Sequence, residues 1–232
     1  VCSVALSRDG QMVRIRENHE GKSHAALLTY YIDEILKQEG LGVKDLDAVG
    51  ISQGPGSYTG LRIGVSTAKG LCYGASKPLV AVSTLQALTR GLLHAVKALE
   101  QPPPLDDKTI LVPMLDARRM EVYSALLNRK LEFIREVQAE VIGEQTYASW
   151  LEGCNMVFFG TGSDKCRQVI AHPHAYFVEG IEPSAQHMSG LAEEKYQQGI
   201  FEDVAYFEPY YLKDFIATKP RKNILRRRKS NQ

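Results

Sequence analysis

The sequence predicts an α/β protein made of two lobes, each with mixed sheets flanked by helices. Apolar runs of strand length alternate with longer segments that have helical spacing. The element order is β-β-α-β-α-β-α in residues 1–104 and β-β-β-α-β-α-β-α in residues 105–212. A proline-rich stretch, QPPPLDDK at 101–108, separates the two halves and is typical of a boundary between lobes. We therefore expect one structural unit used twice.

The first half lacks one strand at its front when the two halves are compared. Strands are predicted at 1–6, 11–17, 47–53 and 79–82, and helices at 24–38, 57–74 and 84–100. Asp9-Gly10 is a typical hairpin dipeptide between the first two strands, and three prolines end the last helix. We expect that roughly ten residues precede Val1 in the parent protein and supply the first strand of this lobe.

The second half shows the complete order. Strands are predicted at 109–115, 119–127, 131–140, 155–159 and 175–178, and helices at 143–152, 163–171 and 185–198. The run TILVPML at 109–115 is apolar without helical spacing, which indicates a buried strand. Gly199 is a typical stop for the last helix.

Composition excludes several classes of protein. The chain has 232 residues, 44% hydrophobic and 24% charged, as in globular domains. No apolar run approaches the roughly 18 residues that a membrane span needs, and no secretion leader opens the chain. The four cysteines form no C-x-x-C pair, which is typical of reduced thiols in a cytosolic protein. We expect a cytoplasmic protein without a membrane partner.

The segment GPGSYTGLRIGVSTAKGLCYG at 54–74 follows a strand and opens a helix, a place where phosphates often bind. Two phosphate fingerprints fail here. The third position of a dinucleotide loop is Thr59 rather than glycine, and Lys69 is followed by Gly70 rather than Ser or Thr. A direct phosphate site is therefore not favoured.

The same segment is punctuated by glycines one helical turn apart, Gly60 with Gly64 and Gly70 with Gly74. A glycine inside a helix costs about 1 kcal/mol relative to alanine. Several such glycines indicate that something approaches the helix backbone closely. Two interpretations stay open, packing inside the fold and contact with a partner protein.

Four stretches carry a resemblance to a known family. They are GPGSYTGLRIGVSTAKGL at 54–71, PLVAVSTLQAL at 78–88, LDARRMEVYSAL at 115–126 and GTGSDK at 160–165. The chain resembles the TsaB family, also called YeaZ, over most of residues 1–212. The resemblance implies two ribonuclease-H-like lobes of the actin/sugar-kinase superfamily. The first strand of this family, which ends in an Asp/Glu-Thr-x-Thr turn, is missing from the sequence.

The resemblance also implies a function. Members of the family are expected to be non-catalytic subunits in making threonylcarbamoyladenosine next to the tRNA anticodon. They pair with a TsaD-type catalytic subunit and a TsaE-type ATPase, form homodimers through the same face, and meet tRNA indirectly. No cofactor is expected on the isolated chain, although ATP or ADP can lie at the interface of the complex. The expected docking surface is formed by helices 24–38 and 57–74, with the contacts Tyr31, Tyr58, Leu61, Arg62, Gly64 and Val65.

Catalysis by this chain is not expected. The catalytic relative binds metal through two histidines four residues apart on a helix. Here the residue four positions after His24 is Leu28, which cannot bind a metal. Asp116 can face a nucleotide or bond to its own turn. The turn at Gly160 and Gly162 can accept a phosphate or cap a helix. The alternative function that uses these residues is an ATP-dependent enzyme of the sugar-kinase type.

A basic tail is predicted at 213–232. Its stretch 219–229 holds seven of the 28 lysines and arginines and no acid, and the rest of the chain has 21 basic against 27 acidic residues. Three interpretations stay open: a solvated end, contact with tRNA phosphates, and docking to an acidic partner.

Overall fold

The structure, a computed structural model, describes residues 1–19 and 24–212. The predicted basic tail at 213–232 lies outside the described residues. The strands are β1 Cys2–Arg8, β2 Gln11–Asn18, β3 Val49–Gly54, β4 Leu79–Ser83, β5 Ile110–Asp116, β6 Glu121–Leu127, β7 Phe133–Val141, β8 Met156–Phe159 and β9 Ala175–Val178. The α-helices are α1 His24–Gln38, α2 Tyr58–Ala75, α3 Thr84–Ala95, α4 Ala148–Leu151 and α5 Ser189–Gln197. The predicted mixed α/β class is confirmed.

Lobe two, residues 105–212, is built on a five-stranded sheet in the order β7-β6-β5-β8-β9. The central strand β5 runs antiparallel to β6 and parallel to β8. All of β8 and all of β5 except Asp116 are buried, as the apolar run at 109–115 predicts. Side chains cover both faces of this sheet. One face packs around Tyr147, Leu151 and Cys166, and the other against α3.

Lobe one, residues 1–104, contains two separate ladders. β1 pairs with β2 in antiparallel fashion, and β3 pairs with β4 in parallel fashion. These pairs repeat the two outer halves of the sheet in lobe two, with β6 and β7 on one side and β8 and β9 on the other. The position that β5 occupies in lobe two has no counterpart among the described residues of lobe one.

The last helix of each lobe packs against the other lobe. Leu85, Leu88 and Leu92 of α3 pack into the core of lobe two, together with Leu111 and Phe159. In return, α5 packs against β4, where the Nζ of Lys195 donates a hydrogen bond to the carbonyl of Ala81 at 2.7 Å. Helices α1 and α2 lie side by side over β1 and β3, which leaves them as an outer layer.

Four predicted helices are shorter than the sequence indicates. In 185–198 a 3-10 stretch, Ala185–Met188, precedes the α-helix α5. The segment 163–171 is a series of turns around a 3-10 stretch, Asp164–Cys166, rather than a helix. Cys166 and Ile170 are both buried, so their helical spacing reflects two core contacts and not a helical backbone. Within 143–152 only α4 forms, and α3 ends at Ala95, where a 3-10 turn follows.

Membrane insertion was not expected from the sequence. In the part of the chain that the structure describes, every helix is too short or too polar to cross a bilayer.

Candidate functional site

One face of α2 is open to solvent along the whole helix. Its exposed residues recur every three or four positions: Thr59, Arg62, Ser66, Gly70, Tyr73 and Gly74. The opposite face holds Val65, Ala68 and Cys72, which are buried. Ser57 caps the helix, because its side-chain oxygen accepts the N–H of Gly60. The segment 57–74 is thus half enclosed by its own lobe and half free.

The glycines of α2 serve two different purposes. A Cβ at Gly64 would lie 3.3 Å from Cδ1 of Ile51 on β3, so this glycine permits close packing inside lobe one. A Cβ at Gly70 or Gly74 would meet nothing within 4 Å. We therefore reassign Gly64 from the partner surface to internal packing. The accessible small-residue surface lies about two to three turns further along the helix.

The segment 202–211, which we call the strap, returns from lobe two to α2. Its first residue, Glu202, donates its N–H to the carbonyl of Leu79 at 2.9 Å. Val204 and Phe207 then pack against the core formed by Ala68, Cys72 and Leu79. The strap therefore covers part of the side of α2 that faces β4.

Lys69 holds the middle of the strap. Its ammonium donates hydrogen bonds to the carbonyls of Ala205 at 2.9 Å and Phe207 at 3.0 Å. A charged donor shared by two carbonyls makes stronger bonds than a neutral one. Lys69 is the lysine that lacks the following Ser or Thr of a P-loop, and in the structure its ammonium binds two backbone carbonyls.

The end of the strap lies over the turn that begins α2. The N–H of Tyr210 donates to the carbonyl of Gln53 at 2.7 Å. Gly54 has φ +109°, and a Cβ there would lie 3.0 Å from the carbonyl oxygen of Tyr210. Glycine at this position is therefore required both by the backbone conformation and by the approach of the strap. The ring of Tyr211 packs on the ring of Tyr58, with centroids 5.0 Å apart.

The predicted contact residues separate into two groups. Tyr58 and Arg62 come together at the start of α2, where the guanidinium lies 5.5 Å from the ring centroid. Tyr31 is partly exposed on α1, and its ring is 6.1 Å from that of the exposed Tyr30. Tyr31, Tyr58 and Arg62 stay predictions as partner contacts.

The remaining two predicted contacts point into the chain itself. The side chain of Leu61 lies over Gly54 and Gly56, with Cδ1 3.2 Å from an ideal Cβ at Gly54. Val65 is 4% exposed and belongs to the core. We therefore reassign Leu61 and Val65 to packing within lobe one.

Sequence reasoning missed several exposed aromatic side chains around α2. Tyr73 on α2 is 86% exposed and Tyr206 on the strap is 83% exposed. Tyr73 lies one turn from Gly70, so the helical spacing of the small residues could have revealed it. No sequence pattern indicates that Tyr206 and Tyr211 lie near α2, because the chain brings them there only when it returns from lobe two.

Asp116 is bound by its own surroundings at the end of β5. Its Oδ1 accepts the N–H of Arg118 at 3.0 Å and forms an ion pair with Lys165. Lys165 in turn donates to the carbonyl of Glu121 at 2.7 Å. Partial burial raises the pKa of Asp116, but the bonds from Lys165 and Arg118 lower this pKa by more. The carboxylate is therefore held ionised by Lys165 and by the backbone of its own turn, and the bond to the turn is the one that the turn interpretation predicts.

Gly160 and Gly162 pack against β5 instead of opening onto solvent. A Cβ at Gly160 would lie 2.5 Å from the carbonyl oxygen of Met114, and one at Gly162 would lie 2.9 Å from the carbonyl carbon of Leu115. The N–H of Gly162 donates to the carbonyl of Met114 at 3.0 Å. Both glycines are buried, so we reassign them from a nucleotide-facing role to packing against β5.

Residues that could do metal or thiol chemistry are dispersed. Within residues 1–19 and 24–212, no three His, Cys, Asp or Glu side chains are grouped so that they could hold a metal ion. His24 begins α1, but its side chain lies outside the described part of the chain. Burial raises the pKa of the Cys166 thiol to about 11 and also raises that of Cys72, which disfavours the reactive thiolate.

Comparison with known proteins gives consistent matches over most of the chain. Residues 18–220 match the family model described as "TsaD: tRNA N6-adenosine threonylcarbamoyltransferase". The chain is 31% identical over 227 residues to the tRNA threonylcarbamoyladenosine biosynthesis protein TsaB of Haemophilus influenzae, covering 94% of this chain and 91% of that protein. A crystal structure from Pseudomonas aeruginosa, described as an uncharacterized protein with similarity to peptidase YEAZ, superposes with a TM-score of 0.73 at 25% identity, covering 91% of this chain and 94% of that one.

An individual transferase sequence matches over a shorter stretch than this family model does. The tRNA N6-adenosine threonylcarbamoyltransferase of Symbiobacterium thermophilum is 35% identical over 119 residues, which is 48% of this chain and 33% of that enzyme. The likeness to the biosynthesis protein extends over both lobes, whereas this likeness to the transferase covers about half of the chain.

Proposed function

This chain belongs to the TsaB family of tRNA threonylcarbamoyladenosine biosynthesis proteins, and we propose that it acts there as a non-catalytic docking subunit. In this proposal it supports threonylcarbamoyl transfer to the adenosine next to the anticodon by binding a TsaD-type catalytic subunit. A TsaE-type ATPase joins the complex, tRNA is contacted indirectly, and a second copy of the chain can occupy the same face as a homodimer. The setting is the cytoplasm, and ATP or ADP can lie at the interface between subunits.

The observation that carries the proposal is the free face of α2. Gly70 and Gly74 offer open space on a helix that lies in the outer layer of lobe one. Glycine is an unfavourable residue for a solvated helix, and its presence there favours close approach by a second backbone. Tyr73 on the same face is 86% exposed, and tyrosine is among the residues enriched in protein interfaces.

The non-catalytic role is supported by how the possible reactive groups are used. The carboxylate of Asp116 is already bound by Lys165 and Arg118. Gly160 and Gly162, the second element that a kinase-like site needs, pack against β5. The residues that a sugar-kinase-like enzyme would use for catalysis therefore already make contacts within the fold, which disfavours this alternative function.

A reconstituted reaction tests the proposal. Purified tRNA is incubated with ATP, a threonylcarbamoyl donor and the TsaD-type and TsaE-type proteins of the same organism, with and without this chain. We expect modified adenosine only when this chain and the TsaD-type protein are both present. Turnover by this chain alone would refute the non-catalytic role.

The kinase-like alternative has its own test. Equilibrium dialysis of the isolated chain against ATP and Mg²⁺ is expected to give no binding at micromolar nucleotide. Micromolar binding that Asp116→Asn abolishes would favour the ATP-dependent enzyme instead.

A further inference from the structure

A groove of about 360 Å³ runs between α2 and the strap. Arg62 and Lys69 line its helical wall, and Phe207, Pro209 and Tyr211 line the wall that the strap provides. The buried side chain of Val65 forms part of the floor. The groove adjoins the free face of α2, because Arg62 belongs to both.

The charge inside this groove is unbalanced. Its two charged lining residues are both cations, and no Asp or Glu lines it among the described residues. The nearest acid along the strap, Glu208, is exposed and is not part of the lining. Lys69 is already satisfied by the two strap carbonyls. Those carbonyls are neutral, so both cations contribute positive charge to the groove, and Arg62 is the one whose hydrogen-bond donors lack a strong acceptor among the described residues.

Arg62 is held in place without an acidic partner. Its guanidinium lies 5.5 Å from the centroid of the Tyr58 ring and donates to the Tyr58 hydroxyl at 3.4 Å, which is a weak bond. In residues 1–19 and 24–212, no carboxylate oxygen lies within the 4 Å of a salt bridge to Arg62. The Tyr58 ring is itself fixed by Tyr211 of the strap. A planar donor is thus pre-positioned with free N–H groups.

We propose that this groove receives an aspartate or glutamate side chain of the docked partner protein, with Arg62 as its ion-pair partner. The proposal rests on the docking role above and adds the chemistry of the partner surface. A guanidinium matches a carboxylate with two parallel hydrogen bonds, and its arrangement on an aromatic ring leaves those donors free. Tyr58 and Tyr211 exclude water around the pair once the partner is seated, which strengthens it.

The strap is part of this site and not only a cover. Without it, the groove would lose the wall that carries Phe207, Pro209 and Tyr211. The hydrogen bonds from Lys69 to Ala205 and Phe207 fix the position of that wall relative to α2. Lys69 is therefore a positioning residue, which acts on the partner through the strap.

The test measures the affinity of the TsaD-type protein of the same organism by titration calorimetry at low and high salt. Arg62→Met keeps the apolar stem on Tyr58 and removes the charge. We expect about tenfold weaker binding for Arg62→Met, a larger loss for Arg62→Glu, and a salt dependence that is present in the wild type and reduced in both variants. Lys69→Met is expected to weaken binding less than Arg62→Glu does.

The matched control is Arg167→Met in lobe two. Arg167 also stacks on an aromatic ring, with its guanidinium 5.2 Å from the centroid of Phe177, but it already pairs with Glu179. This variant is expected to bind like the wild type. Reversal of one acidic residue of the partner to Lys, found by scanning its surface, is expected to restore binding to Arg62→Glu.

The outcomes separate this proposal from the docking role. If Arg62→Met binds with unchanged affinity and salt dependence while Gly70→Leu does not bind, the groove proposal is wrong and docking through α2 stands. If both variants bind like the wild type, α2 is not the docking helix. If inorganic phosphate or ADP alone binds the wild type and Arg62→Met abolishes this binding, the groove is a phosphate site and the carboxylate proposal is overturned.

Discussion

The two lobes differ in what their helices cover. In lobe two, a five-stranded sheet is packed on both faces, and its strands β5 and β8 are almost wholly buried. In lobe one, two short ladders carry α1 and α2 as an outer layer, and α2 turns small, aromatic and basic side chains to solvent. The difference teaches that the two halves, which the sequence predicts to be one unit used twice, are covered in different ways. Lobe two has a closed sheet core, and lobe one has helices in its outer layer, one of which we propose as the contact surface.

The strongest test of this division is a core substitution in lobe two. Phe158 is fully buried, with its ring stacked on Phe177 at 5.0 Å. We expect Phe158→Ala to lower the free energy of unfolding by about 3–5 kcal/mol, because it removes apolar contacts and leaves a cavity. Urea denaturation followed by circular dichroism measures this. Val141→Ala on β7, which is 70% exposed, is the control and is expected to cost under about 0.5 kcal/mol.

Two glycines of α2 allow the packed side of this helix to be compared with its open side. Gly64→Leu is expected to destabilise the chain by about 1–3 kcal/mol, since the new side chain would press on Ile51. Gly70→Leu meets open space and is expected to leave stability unchanged or raise it by up to about 0.8 kcal/mol, because leucine is the better helix former. The same urea experiment compares them. Equal destabilisation by both variants would contradict the reassignment of Gly64.

The strap links the lobes, so loosening it tests whether lobe one depends on lobe two. Lys69→Met removes the donor for the carbonyls of Ala205 and Phe207, and we expect a loss of about 1–2 kcal/mol. Hydrogen exchange of backbone amides is expected to rise in 203–210 and to stay unchanged in β8. Faster exchange in β8 would mean that the strap supports the core of lobe two as well.

The smallest expected effect concerns Asp116. The folded state lowers the pKa of this carboxyl, so the ion pair with Lys165 stabilises the protein above about pH 4 and this contribution is lost as pH falls. The carboxylate is half exposed, and solvent screening limits the effect to under about 1 kcal/mol. Asp116→Asn is expected to reduce the fall in unfolding free energy between about pH 6 and pH 3. A steeper fall in this variant would contradict the assignment.

Much of the fold could be predicted because strand order follows from local patterns. The apolar run of β5 and the Asp9-Gly10 hairpin each depend on neighbours in sequence. The helix prediction for 163–171 was wrong because Cys166 and Ile170 have helical spacing without a helical backbone. A period of four residues is not decisive over so short a stretch.

The candidate site was harder to predict because its second wall comes from far along the chain. The motif at 54–74 located Tyr58 and Arg62, but a helix pattern does not say which side faces the sheet. Leu61, Gly64 and Val65 were therefore predicted as partner contacts, although Val65 is buried and the other two also pack against Gly54 and Ile51 of their own lobe. Lys69 and Ala205 are 136 residues apart in the sequence, so no local sequence pattern predicts their contact.

One measurement tests the central claim that α2 offers a free face to a partner. The affinity of the TsaD-type protein is determined for the wild type, Gly70→Leu and the control Gly143→Leu, which places the same side chain at an exposed, open glycine of lobe two. An added Cβ at Gly143 would meet only Thr146 Oγ1, at an ordinary contact distance of 3.9 Å. The account predicts that Gly70→Leu, at unchanged or higher stability, loses at least about a hundredfold in affinity, while Gly143→Leu binds normally. Wild-type affinity in a correctly folded Gly70→Leu variant would contradict it.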